Sequence, residues 1–309
     1  MSDTAGRRAP STFVISITPF TADGGLDDAG LRAHLGRLGD AGIGVYLAGS
    51  GSGEGYTLDD GEVERVLTIG AETLAGRVPV RAMGVEPRTA AQMVATARLA
   101  ARSGVEALQI YSLDQGHGNR PSRVELDRYL RTVLDATTLP SVLSSHQSVG
   151  YLLAPDLIGS LIDEYDQVIG VNCSTLDVTY VLRVIEAVDG RADVHVGGPL
   201  HALTCLGLGG QGYLSSDGNL APRLCVSVID AYRAGDLQRC HEAYRTLMRL
   251  YAATRDLGGV TATKAALDLL GLPGGPPRPP RLPVDTATRE RIQRLLVDEL
   301  ALRDREQLP

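Results

Sequence analysis

Eight short apolar runs recur along this chain at intervals of roughly 18 to 35 residues, and that repetition restricts the fold more than any other feature. The runs are Phe13 to Thr18, Val45 to Ala48, Val80 to Met83, Ala107 to Tyr111, Ser141 to Ser145, Val168 to Asn172, Val194 to Gly197 and Gly212 to Ser215. Each is bounded by glycine, proline or polar residues and reads as a buried strand. Amphipathic segments lie between them. Leu31, Leu35 and Leu38 recur at helical spacing, as do Val94, Ala97 and Ala101, and then Val124, Tyr129 and Val133. Eight strand-helix units predict a closed parallel (β/α)8 barrel of the TIM type, since an open doubly wound sheet has fewer units and carries a dinucleotide fingerprint. A length of 309 residues suits one such barrel with an extension.

The barrel is expected over residues 11–235. Beyond it the pattern becomes wholly helical over 236–309: Leu237, Cys240, Tyr244, Leu247, Met248 and Tyr251 form one stripe, Val260 to Leu270 a second segment, and Ile292, Leu295, Leu296 and Leu300 a third. The proline-rich stretch 271–283 cannot be helix or central strand, because proline lacks the donor and fixes φ, so it should run extended along the surface as a connector. A net charge of -7 without a basic cluster argues against nucleic acid or an anionic membrane as partner and leaves small molecules. Cys173, Cys205, Cys225 and Cys240 form no C-x-x-C pair, which suits reduced thiols in the cytoplasm. The polar first ten residues, with Arg7 and Arg8, precede no apolar leader, and no run is long enough to span a membrane. A soluble, unprocessed protein is expected.

Chemistry is expected first along Gly44 to Leu58, an apolar strand running into a glycine-rich turn that opens a helix. Four alternating glycines would let consecutive amides converge on an anionic or carbonyl oxygen, with hydroxyl donors from Ser50 and Ser52. Thr57, three residues before Asp60, suggests a capping box and hence the positive end of a helix just beyond. The implied ligand is small and oxygen-rich. The alternative is a connection that needs glycine only to turn tightly.

Several stretches in register resemble the dihydrodipicolinate synthase and N-acetylneuraminate lyase family of class I aldolases. They are Thr18-Pro19-Phe20 with Asp23-Gly24, Ser50 to Glu54, Asn119 to Ser122, Ile169-Gly170-Val171, Asn219 to Pro222, and Lys264 to Leu267 ahead of Gly271-Leu272-Pro273. The resemblance spans Phe13 to Leu300 and implies the barrel, the helical extension and a homo-oligomer, a dimer or tetramer. It also implies a 2-oxo acid substrate held as an imine on a lysine ending strand six. That lysine motif reads here Gly170-Val171-Asn172. An amide nitrogen is no amine nucleophile, since its lone pair is delocalised, so Asn172 forms no imine. Lys264, the only lysine in the chain, matches a position in the extension instead. Ser144 stands where the family has its proton-relay tyrosine and Val149 where it has its carboxylate-binding arginine. The loop after strand four reads Asp114-Gln115-Gly116-His117-Gly118.

The acid-base candidate is His146, at the C-terminal end of strand five where barrel sites collect. Asn172 and Ser144 would orient a developing oxyanion, while Ser50, Ser52, Gly53, Tyr111, His117 and Asp217 would bind substrate. Glu54 is expected to act indirectly, or at a subunit contact, and Cys173 to point away from the barrel axis. No cofactor is expected. A metal held by His146, His201, Glu54 and Asp217 lacks any recognisable ligand spacing. The expected function is lyase-like: aldol or retro-aldol cleavage, dehydration or cyclisation of a small carbonyl or carboxylate compound through a hydrogen-bonded enolate. The alternatives are a non-catalytic barrel that binds a small acid, as a sensor or partner subunit, and a metal-assisted aldolase.

Overall fold

The computed structural model describes residues 8–308, so the leading residues, Arg7 among them, lie outside it. All eight anticipated strands form: β1 (Ser11–Ile15), β2 (Gly44–Leu47), β3 (Val80–Ala82), β4 (Ala107–Ile110), β5 (Ser141–His146), β6 (Val168–Ser174), β7 (Asp193–Gly197) and β8 (Gly212–Ser215). They follow one another in chain order around a closed barrel. A strand β6 that stopped at Asn172 would be too short, because its ladder with β5 continues through Ser145↔Cys173 to His146↔Ser174. By contacts the chain falls into two compact units, each described in turn.

The first unit comprises Arg81–Leu214 with the chain up to Ser11. Parallel ladders join β3 to β4 and each strand onward to β8. Leu108, Ile110, Val142, Leu143, Val171, Val194 and Val196 are all buried on these strands. Two helical faces differ from the spacing-based reading by about one position. Helix Ala90–Ser103 buries Met93, Ala97 and Ala100 and leaves Ala101 exposed, while helix Arg123–Asp135 buries Leu126, Tyr129, Leu130 and Val133 and leaves Val124 in solvent. Val124 is displaced because Ser122 caps that helix in a reciprocal box with Glu125, making Val124 a first-turn residue on the outer face.

The second unit comprises Thr12–Val80 and Ser215–Pro309. Helix Asp60–Leu74 is capped by Asp59, which accepts from the Glu62 amide while Glu62 reaches back to the Asp59 amide. That box, not Thr57 with Asp60, starts the helix, because Thr57 belongs to the preceding short turn Gly55–Thr57. In the extension, helix Leu237–Asp256 buries Cys240, Leu247 and Leu250, but Leu237, its first residue, is exposed. Helices Val260–Leu269 and Thr286–Ile292 follow as expected, the latter continuing as a π-helical turn over Gln293–Asp298.

The proline-rich connector is no loose surface strand. Arg278, inside it, donates to both carboxylate oxygens of Glu62 at 2.7 Å and to the carbonyls of Gly24 and Thr57, while its guanidinium lies 4.2 Å from the Phe20 ring centre. Asn219 joins three parts of this unit: its Oδ1 accepts from the Ile17 amide and His34 Nε2, and its Nδ2 donates to the carbonyls of Ile15 and Ser216. At the far end of the chain the Glu306 carboxylate accepts the Arg223 and Leu224 amides, which open helix Pro222–Arg233.

Candidate active site

At the ends of β4, β5 and β6 the first unit holds four of the polar side chains singled out from the sequence: Tyr111, Ser144, His146 and Asn172. Ser144 and Asn172 are register partners on β5 and β6, and both are buried. Asn172 Nδ2 donates to Gln109 Oε1 at 2.6 Å, so a glutamine on β4 fixes the amide. Ser112 Oγ donates to the Ser144 carbonyl at 3.0 Å and accepts the His146 amide at 3.3 Å. The Tyr111 and His146 rings are tilted against each other with centres 6.4 Å apart. Ser145, which alternation turns to the other side of β5, has a structural job: it accepts the Leu153 amide and lies 2.5 Å from the Tyr180 hydroxyl, which in turn donates to the Leu153 carbonyl.

The state of His146 follows from its partners. Its Nδ1 accepts the Ser148 amide at 3.2 Å and lies 2.5 Å from Ser148 Oγ, so in the neutral ring the proton is on Nε2. Burial pushes its pKa below the ordinary histidine value, with the Glu86 carboxylate pulling the other way. A neutral imidazole results whose outward nitrogen is a hydrogen-bond donor. Burial, with the same Glu86 carboxylate adding to it, pushes the Tyr111 hydroxyl far above the ordinary tyrosine value. Sequence reasoning missed both Glu86 and Gln109. Gln109 carried a signal, being a polar residue inside a buried apolar run; Glu86, in the loop after β3, carried none.

His117 is exposed, on the left-handed loop that follows β4, and is not gathered with the others. That loop is tied down by Arg88, which pairs with the Asp114 carboxylate at 3.0 Å and donates to the Asp114 carbonyl. Cys173 is fully buried and its thiol is pushed far up by burial, as its outward direction on β6 suggested.

The second unit holds Ser50, Ser52, Gly53 and Asp217. Its glycine-rich turn is built differently from the expectation. The left-handed residues are Ala48 and Glu54, with φ of 57° and 49°, and none of Gly49, Gly51, Gly53 and Gly55 has positive φ. Glycine is needed for close approach: a Cβ on Gly53 would lie 2.8 Å from Gly49 N, and one on Gly55 would run into the Ala48 carbonyl. The Gly53 carbonyl accepts the Thr18 hydroxyl at 2.7 Å, and the Glu54 and Gly55 amides donate back to Gly51 and Gly49, which removes both from any oxyanion cradle. Ser52 is buried and Ser50 half-buried. Asp217 is buried, accepts from Ser215 Oγ, and has its pKa raised by burial to about 6.

The same turn anchors the only lysine. Lys264 Nζ donates to the Thr18 and Pro276 carbonyls at 3.0 Å each, lies 2.5 Å from Glu54 Oε1, and sits 4.4 Å from the Phe20 ring centre. Two hydrogen bonds and one ion pair thus engage the ammonium. Among the described residues no group of three or more His, Cys, Asp and Glu side chains is arranged as metal ligands, so His146, His201, Glu54 and Asp217 do not form such a set. No described helix is long and apolar enough to cross a membrane.

The fold is a closed parallel barrel, and its family and relatives make it a lyase-like enzyme for small carboxylate compounds. The model of the dihydrodipicolinate synthetase family matches residues 10–299, and the chain belongs to that family. It is 32% identical over 283 residues to the 4-hydroxy-tetrahydrodipicolinate synthase of Methanopyrus kandleri, covering 91% of this chain and 93% of the relative. The Methanoculleus marisnigri enzyme of the same name is also 32% identical, over 91% and 96%. Among solved structures, YagE from Escherichia coli K12, a prophage protein of the dihydrodipicolinic acid synthase family in complex with pyruvate, superposes with a TM-score of 0.86 at 28% identity, covering 95% of this chain and 99% of that one.

Proposed function

We propose that this enzyme performs aldol-type chemistry on a small 2-oxo acid without forming an imine. The reading rests above all on the only lysine: its amine is buried, ion-paired with Glu54 and hydrogen-bonded to two carbonyls in the second unit, and no other lysine exists. The resemblance of Gly170-Val171-Asn172 to the family's lysine motif supports Asn172 as the residue in the imine-forming position. Without an iminium, the enolate formed beside the carbonyl must be stabilised by neutral donors, and His146 Nε2-H and the Asn172 amide have the chemistry for that. The pyruvate bound to YagE supports a 2-oxo acid as the substrate class, and the synthase relatives support carbon-carbon bond formation or cleavage as the reaction class. Loss of an iminium sink removes several kcal/mol of help, so the substrate should carry its own activation, such as a β-dicarbonyl or conjugated acceptor.

The test is borohydride trapping with pyruvate followed by intact-mass analysis. The mass is expected to stay unchanged. A pyruvyl adduct on Lys264 would overturn the proposal, because it would require the buried ion pair to open and the amine to reach substrate.

A further inference from the structure

The sequence shows no basic cluster, but the second unit folds three arginines from separate stretches onto one cavity of about 380 Å³. Arg239 and Arg245 come from helix Leu237–Asp256, and Arg305 from the short last helix, Leu302–Arg305. Helix Pro222–Arg233 closes the cavity with Leu224 and Ser227. We propose that this cavity binds a small polyanion, a molecule carrying two or more carboxylate or phosphate groups. The site shares no residue with the candidate active site and does not depend on the reaction proposed there.

Charge pairing sets these three arginines apart. Elsewhere on this acidic chain exposed arginines meet carboxylates: Arg32 pairs with Glu72 and Arg123 with Asp156 at 2.7 Å each, and Arg249, on the same helix as Arg239 and Arg245, lies 3.9 Å from Glu299. Among the described residues no carboxylate pairs with Arg239, Arg245 or Arg305. Glu242 also lines the cavity, but it accepts Gln238 Nε2 at 3.2 Å, and one carboxylate does not offset three guanidiniums. The neighbouring acids are held by backbone amides: Asp236 accepts from Arg239 at 3.0 Å as a helix cap, and Glu306 accepts from Arg223 and Leu224. The Ser227 and Thr246 hydroxyls donate to the Leu224 and Glu242 carbonyls of their own helices, so the side-chain donors left to a ligand are the guanidiniums.

The walls are preformed. Glu306 ties the last helix to the start of helix Pro222–Arg233, and Arg305 Nε donates to the Leu300 carbonyl at 2.8 Å. That bond fixes the guanidinium plane and leaves the two terminal nitrogens for a bidentate partner, the geometry that a carboxylate or phosphate edge supplies. A monoanion would leave most of the local charge unmet, so the fitting ligand is multivalent. The cavity volume lies at the lower end of those that enclose small molecules.

Calorimetric titration of the full chain at low ionic strength tests this, with citrate and pyrophosphate as probes and acetate as the monovalent reference. One equivalent of citrate or pyrophosphate is expected to bind per chain, and acetate far more weakly; binding of citrate alone would mark the ligand as a polycarboxylate, and of pyrophosphate alone as a phosphate compound. Arg239→Gln and Arg305→Gln should each weaken binding at least about fivefold, and Glu242→Gln should strengthen it. Arg249→Gln, which removes an equal charge from the same helix outside the cavity, should leave binding unchanged. Because Arg305 also holds Leu300, Arg239→Gln keeps the test valid should the other variant lose its fold by circular dichroism. Failure of both probes to bind would overturn the proposal, and so would an equal loss in Arg249→Gln, by showing that overall charge and not this cavity holds the anion.

Discussion

Two polar clusters in this molecule use similar residues to opposite ends. Around Lys264 the charges are turned inward: the ammonium, the Glu54 carboxylate and the Thr18 and Pro276 carbonyls close on one another, with Phe20 against both Lys264 and Arg278. At the ends of β4, β5 and β6 the groups are weaker individually and less enclosed, with His146 and Glu86 half-buried. The first cluster draws on some of the stretches that carry the family resemblance, Thr18-Pro19-Phe20, Glu54 and Lys264, together with Pro276 and Arg278. The second contains the departures, Ser144 and Asn172. Removing one partner of a buried ion pair strands a charge at a cost of about 3–5 kcal/mol, whereas removing one partner of a neutral hydrogen bond strands a dipole at about 1–3 kcal/mol. On the function proposed above, the residues that carry the chemistry are those the frame around Lys264 does not depend on.

The comparison breaks most sharply at Lys264. Lys264→Met leaves the Glu54 carboxylate buried without its cation and should cost about 3–5 kcal/mol, read as a fall in urea midpoint at unchanged slope. Adding Glu54→Gln removes the stranded charge, so the double variant should be more stable than the single one. A single variant as stable as the wild type would mean that this cluster holds nothing together.

Acid separates the frame histidines from the one at the strand ends. His34 and His195 are fully buried, and burial lowers both pKa values to about 3. The unfolded chain binds their protons near pH 6.5, so the stability each provides is present above that value and is lost as pH falls toward 3, by about 1.4 kcal/mol per pH unit per histidine. Asp217 works in the other direction: with its folded pKa raised to about 6, it adds stability as pH falls from 6 toward 4, offsetting part of the loss. Two histidines against one carboxylate leave a net loss, measurable as a midpoint that drops between pH 6.5 and 4. His34→Gln should flatten that drop, whereas His146→Gln, at a half-buried ring, should change it less.

The glycine-rich turn belongs to the frame by the same criterion, and it can be tested by moving one methyl group. Gly53→Ala places a carbon 2.8 Å from Gly49 N and 2.9 Å from Gly49 O, both backbone atoms that cannot step aside, and should cost about 1–3 kcal/mol. Gly51→Ala meets nothing within 4 Å and should be close to neutral. Equal losses at both positions would mean that the turn is sensitive to backbone freedom rather than to close approach.

Legibility from sequence follows the same division. The eight strands were readable because each is a short apolar run closed off by glycine, proline or polar residues, a signal that survives without knowledge of partners. Helix faces were less secure: Val124 and Leu237 sit in first turns, where the cap decides which side faces solvent, and periodicity alone misplaces them. In the glycine-rich stretch the residue type was informative but its reason was not, since close approach and left-handed backbone both call for glycine, and only coordinates separate them. His146 was singled out because strand ends are where barrel chemistry collects, and Ser144 and Asn172 because of the motifs they replace in the resemblance. Glu86 was not singled out, because nothing in the sequence marks a carboxylate of the loop after β3 as one whose charge bears on Tyr111 and His146.

The smallest expected effects are at the strand ends, where they fall on rate and not on stability. His146→Ala and Asn172→Ala should each lower turnover at least about tenfold, equivalent to about 1.4 kcal/mol of transition-state stabilisation, while shifting the urea midpoint little. The two should differ in what they leave behind. Removing His146 takes away a donor and frees the Ser148 amide, so the β5 end loosens and KM should rise with the fall in kcat. Removing the Asn172 side chain strands Gln109 Oε1, 2.6 Å from where the amide was, so Asn172→Ala should show the larger stability cost of the pair and Asn172→Asp, which offers an acceptor to an acceptor, no rescue. If both alanine variants turn over at the wild-type rate, the strand ends of β5 and β6 are frame as well, and the contrast with the Lys264 cluster disappears.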